Sequence, residues 1–169
     1  MSITIKSSGI SAQIRSLGAQ LTSIQNTDGL EYLWQGDAQH WSGQAPVLFP
    51  IVGTIRNGKT EIEGKTYEMK RHGFARNMEF QLLEQQEDRA VFSLRANEET
   101  REMYPFDFEL QIIYRVEGCR LTNEYVVINH DSRQMPFVVG GHPAFNCPIT
   151  AGENFEDYVV EFEKEETAD

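Results

Sequence analysis

Cysteine is nearly absent from this chain. Cys119 and Cys147 fall in no CxxC pair, which excludes a zinc ribbon and a disulfide framework. They read as small core or edge residues in a reducing compartment. Long apolar runs are missing as well. No stretch of about 18 apolar residues exists to cross a membrane as a helix. The N-terminal Met1-Ser2-Ile3-Thr4-Ile5-Lys6 has neither the apolar core nor the cleavage site of a secretory signal. A cytoplasmic location is therefore expected. Basic residues are in deficit: 15 Lys and Arg face 26 Asp and Glu, a formal net charge of −11. Nucleic-acid binding and docking on an anionic membrane both need clustered bases, so neither is expected. Much of the acidity lies at the end, where residues 152–169 hold eight acids against Lys164 alone. Helical periodicity is scarce too. Residues 97–103 can make one or two turns with Asn97 as N-cap, ended by Pro105.

What the chain has in quantity is period-two alternation. Phe106, Phe108, Leu110, Ile112, Tyr114 and Val116 take every even position, and polar residues take the odd ones apart from Ile113. Such a segment buries one face and wets the other, as in an antiparallel sheet. Glu117-Gly118 turns it into a partner strand over 120–129. Hairpins are also expected around Gly64 and between 80–85 and 90–95, with short strands at 3–5, 10–14 and 21–24. Tyr158, Val160 and Phe162 alternate with polar neighbours and read as a last strand whose acids form its wet face. No linker or repeat divides the chain, and the pattern is that of an all-β sandwich or barrel.

Three stretches break the alternation and concentrate Gly, Pro, His, Arg and aromatic residues. Loops on a rigid β scaffold are where sites tend to lie. In Phe49-Pro50-Ile51-Val52-Gly53-Thr54-Ile55-Arg56-Asn57-Gly58-Lys59, Arg56 is either a donor fork for sugar hydroxyls or a carboxylate, or a solvated side chain beside an Asn-Gly turn. In Arg71-His72-Gly73-Phe74-Ala75-Arg76-Asn77, the His-Gly pair lets backbone approach a ligand, or His72 simply bonds to backbone. In Gly140-Gly141-His142-Pro143-Ala144-Phe145-Asn146, His142 stands between Gly and Pro in one fixed pose. That suits general acid–base work, or alternatively a buried turn. His40 beside Trp41, and Trp34, could line a pocket rim or pack; His130 reads as solvated in a polar turn.

These three segments, in this order, resemble the galactose mutarotase (aldose 1-epimerase) family, and within it a LacX-like bacterial branch. The resemblance runs from the N-terminus to about residue 163. It implies a galactose mutarotase-like large antiparallel β-sandwich, a hexose cleft, and anomer interconversion without a metal or organic cofactor. It implies His142 as the general acid on the ring oxygen and His72 as a second histidine that binds the sugar and supports that transfer. It also assigns substrate contacts to Arg56, Arg76 and Phe145. The branch often has Arg where this chain has Thr54, two residues before Arg56.

The family's general-base glutamate and an aspartate sugar ligand are implied downstream of the His142 motif, yet nothing after Asn146 matches them. Residues 1–169 therefore read as the N-terminal part of a longer mutarotase-like β-sandwich domain, with strand edges open to self-association. Three alternatives accompany the anomerase reading. One is a hexose-6-phosphate mutarotase, with Lys70, Arg71 and Arg76 holding the phosphate. Another is a non-catalytic carbohydrate-binding β-domain. The third, a metal site of His72, His142 and a carboxylate, is disfavoured because the histidines lie 70 residues apart with no ligand-type spacing.

Overall fold

A computed structural model of the chain describes residues 1–164. Eleven strands and one short α-helix are defined in it. β1 (Ser2–Lys6), β2 (Ile10–Arg15) and β3 (Gln20–Asn26) form an antiparallel meander. β4 (Val47–Leu48) follows a long loop, and β5 (Lys59–Ile62) and β6 (Lys65–Glu68) make an isolated hairpin. β7 (Gln81–Gln85), β8 (Arg89–Arg95), β9 (Phe108–Glu117) and β10 (Arg120–Asn129) form a second antiparallel sheet in the order β10-β9-β8-β7. The helix α1 (Glu98–Met103) bridges β8 and β9, and β11 (Gly140–Gly141) pairs back onto β4. No helix among the described residues is long and apolar enough to cross a membrane.

The alternation in the sequence decides which face of each strand is dry. Phe108, Leu110, Ile112, Tyr114 and Val116 of β9 are all buried, and they pack with Phe92 and Leu94 of β8 and with Ile5, Ile14 and Leu21 of the meander. The two sheets thus share one core, the packing mode of a β-sandwich. The Tyr114 hydroxyl donates to the Ala19 carbonyl at 2.7 Å and pins the sheets together across that core. Burial pushes its pKa well above the usual phenol range. α1 opens with a reciprocal cap: the Asn97 side chain accepts from the Thr100 N–H, and the Thr100 hydroxyl accepts from the Asn97 N–H, each at 2.9 Å.

Three local expectations fail. Residues 158–164 form no strand, and Val159 and Val160 are 88% and 81% exposed. Alternation makes a strand only where a neighbouring edge supplies hydrogen bonds, and no described strand lies alongside. The acids Glu165, Glu166 and Asp169 lie outside the described residues. Both cysteines are exposed, so the core half of the core-or-edge expectation fails. His130 is not freely solvated: its Nε2 lies 3.1 Å from Oε2 of Glu109, a carboxylate only 3% exposed on the outer face of β9.

That carboxylate is the hub of a polar cluster invisible in linear order. Ser93 Oγ, Gln111 Nε2 and the Arg95 guanidinium all donate to it, at 2.7–3.0 Å. With the Gln111 bond as the largest cause and the His130, Ser93 and Arg95 bonds adding to it, the Glu109 pKa is drawn down to about 2 despite burial. A carboxyl lowered in the folded state contributes stability above its unfolded pKa and loses it as pH falls toward the folded one. Glu109→Gln is therefore expected to cost about 2 kcal/mol at pH 7, with solvent screening of Arg95 limiting the figure. The gap to the parent should narrow from about pH 4.5 downward. Denaturant unfolding at pH 7 and pH 3 checks this; a gap that does not depend on pH would sink it.

Candidate functional site

The segment from Gln44 to Pro50 is the spine of the site. On one side β11 pairs with β4, Gly140 opposite Leu48 and Gly141 opposite Val47. Backbone bonds extend this pairing both ways, from the Val138 N–H to Pro50 O (2.9 Å), His142 N–H to Pro46 O (3.1 Å) and Ala144 N–H to Gln44 O (2.8 Å). On the other side Gly73 bridges Phe49 in parallel, and the Phe74 N–H donates to Phe49 O at 3.0 Å. One extended segment thus gathers two loops distant in sequence. The rings of His72 and His142 end with centroids 6.2 Å apart.

Two glycines make this closeness possible. A Cβ on Gly73 would sit 2.1 Å from Phe49 O, and its φ is +71°. A Cβ on Gly141 would sit 2.6 Å from the Tyr125 hydroxyl oxygen. Asn146 anchors the exit of the third segment, its Nδ2 donating to the carbonyls of Glu31 and Leu33 at 2.9 and 3.1 Å.

His72 is clamped by one residue. Its N–H donates to Gly53 O at 2.8 Å, and its ring Nδ1 accepts from the Gly53 N–H at 3.0 Å. Its backbone lies in the left-handed region, at φ +69°, a conformation costing about 1 kcal/mol or more that persists only when neighbours enforce it. Because a backbone amide can only donate, Nδ1 must be the bare nitrogen, and the ring proton of neutral His72 sits on Nε2. Partial burial lowers the pKa of His72 first, followed by the charges of Arg71, Arg76 and His142. His72 is thus a neutral donor of fixed tautomer. Protonating it would cost the Gly53 bond as well as Coulomb energy. His142 differs: its side chain is exposed and makes no hydrogen bond among the described residues.

Both histidines line a cleft of about 220 Å3 with Trp41, Pro46, Leu48, Arg71 and Arg76. The Trp41 ring lies 5.3 Å from that of His142, inclined at 49°. Its backbone is held by Trp34, whose indole N–H donates to Trp41 O at 2.8 Å. Arg76 follows Gly73 by three residues in a 3-10 turn (Ala75–Asn77), and its Nη2 donates to Arg71 O at 3.0 Å. A wider depression of about 710 Å3 beside Ser7 and Gly118 holds no histidine or aromatic side chain and none of the candidate site residues singled out in the sequence.

Of the residues singled out in the sequence, the fold brings His72, His142 and Arg76 together. Arg56 is exposed in the turn before β5, and Phe145 is 59% exposed beside Leu33; neither lines the cleft. His40 packs edge-on against Trp34 rather than sharing the rim with Trp41. The role of Gly53 as clamp for His72 escaped sequence reasoning, although its place in the Phe49–Gly53 segment was a signal. Among the described residues no three His, Cys, Asp or Glu side chains come together as metal ligands.

Comparison with known proteins gives three findings. The family model for aldose 1-epimerase matches residues 1–169. The plasmid and chromosomal LacX proteins of Lactococcus lactis subsp. lactis are each 43% identical over 173 residues, covering 99% of this chain and 58% of the relative. Among solved structures, a galactose mutarotase related enzyme from Lactobacillus acidophilus superposes with a TM-score of 0.90 at 40% identity, over 93% of this chain and 53% of that one. A galactose mutarotase-like protein from Lactobacillus casei gives 0.85 at 38%, over 89% and 52%. The chain thus spans 58% of the length of the curated relatives it matches.

Proposed function

The chain belongs to the aldose 1-epimerase family, and from that premise we propose that its cleft binds an aldose and supplies the acid side of anomer interconversion. The observation that carries this reading is the pairing of a clamped neutral imidazole with a free one, 6.2 Å apart, beside an aromatic face. Ring opening needs a proton on the ring oxygen as the C1–O5 bond breaks. A second proton leaves the C1 hydroxyl as the C1=O bond forms. Rotation about C1–C2 and the reverse steps then give the other anomer.

An imidazole titrates near neutral pH and can both give and retrieve the ring-oxygen proton. His142 takes this part in the proposal, because its ring is unencumbered. His72, locked with its proton on Nε2, donates a hydrogen bond that orients the sugar without exchanging its proton. Trp41 offers an apolar face to the C–H side of the sugar ring. Arg76 is the substrate contact inside the cleft, while Arg56 and Phe145 remain sugar contacts only if the ligand reaches beyond it.

The lining side chains include no carboxylate among the described residues, so the base for the C1 hydroxyl is not one of them. The proposal places it in the stretch of the relatives that this chain does not match. The same observation favours a second reading, a carbohydrate-binding domain without catalysis. Exchange NMR with galactose and glucose, paired with calorimetry, separates the two. Exchange above the spontaneous rate supports the enzyme; binding with only spontaneous exchange supports the binding domain. No binding and no exchange would remove both.

A further inference from the structure

Gly141 leaves a space that a side chain from the other sheet fills. A Cβ there would meet the Tyr125 hydroxyl oxygen at 2.6 Å, and the next atoms, Tyr125 Cζ and Pro143 Cδ, only at 3.7 and 3.9 Å. The φ of Gly141 lies outside the left-handed region. What this position requires is therefore room for one oxygen atom rather than backbone freedom.

Tyr125 belongs to β10, the edge strand of the second sheet. Asn123 lies two residues earlier on the same face, and its Nδ2 donates to the Tyr125 hydroxyl at 2.8 Å. Burial raises the Tyr125 pKa against the opposing effect of the Asn123 bond, so the group is a neutral hydroxyl near neutral pH. A rigid ring and one hydrogen bond thus fix the oxygen beneath Gly141. Successive residues of an extended segment face opposite ways. With the side of Gly141 turned to Tyr125, His142 is turned the other way, where its ring lines the cleft beside Trp41 and His72.

We propose that Tyr125 is a positioning residue for His142: its hydroxyl backs Gly141 and so fixes where β11 presents the imidazole to the cleft. The proposal rests on the reading of His142 as the proton donor above, and adds a residue outside the cleft lining on which that donor depends.

The test is a double-variant cycle in this chain: Tyr125→Phe, Gly141→Ala and both together. Gly141→Ala adds a methyl where the hydroxyl stands, and a fall in Tm of about 2–12 °C is expected. Tyr125→Phe removes the oxygen, so most of that fall should be recovered in the double variant. Gly140→Ala is the control. Its Cβ would meet Val52 Cγ2 at 3.3 Å and not Tyr125, so Tyr125→Phe should bring it no relief. Position is read by proton NMR of the four histidine rings, with the His142 signals identified by their loss in His142→Asn. Those signals should shift in Gly141→Ala, which pushes β11 away, and in Tyr125→Phe, which leaves a gap beneath it. They should return toward the parent's in the double variant. Where Gly141→Ala folds poorly, the shift in Tyr125→Phe decides alone.

His142 signals that stay in place in the single variants, whatever the melts do, would make Tyr125 a packing residue and overturn the proposal. So would a Gly141→Ala defect that Tyr125→Phe does not relieve. Calorimetry with galactose on the same samples keeps the two readings distinct. Failure of the parent to bind would remove the sugar reading alone, because the NMR arm needs no ligand.

Discussion

Replacing His142 by Asn, in a protein that also carries the stretch of the relatives beyond this match, is expected to lower the proposed anomer exchange by about a hundredfold to ten-thousandfold, the range that a positioned acid or base supplies. The fold should be untouched. The side chain is exposed and makes no hydrogen bond among the described residues, while the neighbouring backbone keeps its bonds to Pro46 and Gln44. Surface substitutions of this kind stay within about 0.5 kcal/mol. Asn keeps polarity and bulk but cannot shuttle a proton near neutral pH, so the loss should fall on the exchange rate and spare affinity. Polarimetry or exchange NMR of galactose, beside a thermal melt, makes the comparison. Near-parental exchange in the variant, with an intact melt, would remove His142 from the acid role.

Gly73→Ala should be the most destabilising single substitution near the site. The new Cβ would meet Phe49 O at 2.1 Å, with Phe49 C at 2.5 Å and Pro50 N at 2.8 Å. All three are backbone atoms and cannot swing aside as a side chain can. The left-handed φ of +71° adds strain of its own. Relief requires the 71–75 loop to withdraw from the spine, breaking the Phe74 N–H bond to Phe49 O. A loss of about 3 kcal/mol or more is expected. At this chain length that corresponds to a fall in Tm of about 6–12 °C. Sugar affinity should drop as well, because His72 moves with the loop. Gly64→Ala is the contrast: it has a similar φ of +76° but nothing within 4 Å of the added Cβ, so it should show the cost of φ without that of contact. Equal melts for the two variants would mean that the close approach at Gly73 is unimportant.

How much of this was legible can be judged from particular residues. The β9–β10 hairpin was readable because its signal is local: period-two alternation and a Glu-Gly turn require no knowledge of the partner sheet. Asn97 and Pro105 bracket α1 for the same reason, since caps and breakers act within one turn. The strand expected at 158–162 had equally good alternation and did not form, because alternation states which face would be dry but cannot supply a neighbouring edge. Glu109 looked like one more wet residue of β9. Its burial depends on Ser93, Arg95, Gln111 and His130 converging from β8, β9 and the turn after β10.

The site divides in the same way. Residue types and order in three Gly- and His-bearing segments were enough to name His72, His142 and Arg76 as candidates and to suggest the family. Geometry was not in them. Arg56 lies in a segment as suggestive as the others, yet its turn leaves it outside the cleft. Trp41 and Trp34 were equivalent by composition, and the fold gave one the cleft and the other the task of holding it there.

By itself, then, the sequence determined the β class, the hairpins and the chemical inventory of the site, since these follow from periodicity, turn chemistry and residue type. Only the tertiary structure decided that Gln44–Pro50 draws two loops 70 residues apart to ring contact distance. Only there does Gly53 fix which nitrogen of His72 carries the proton, and only there do Arg71 and Arg76 become its neighbours in one cleft. Those outcomes rest on contacts between distant segments, and a pattern that repeats every two residues carries no information about them.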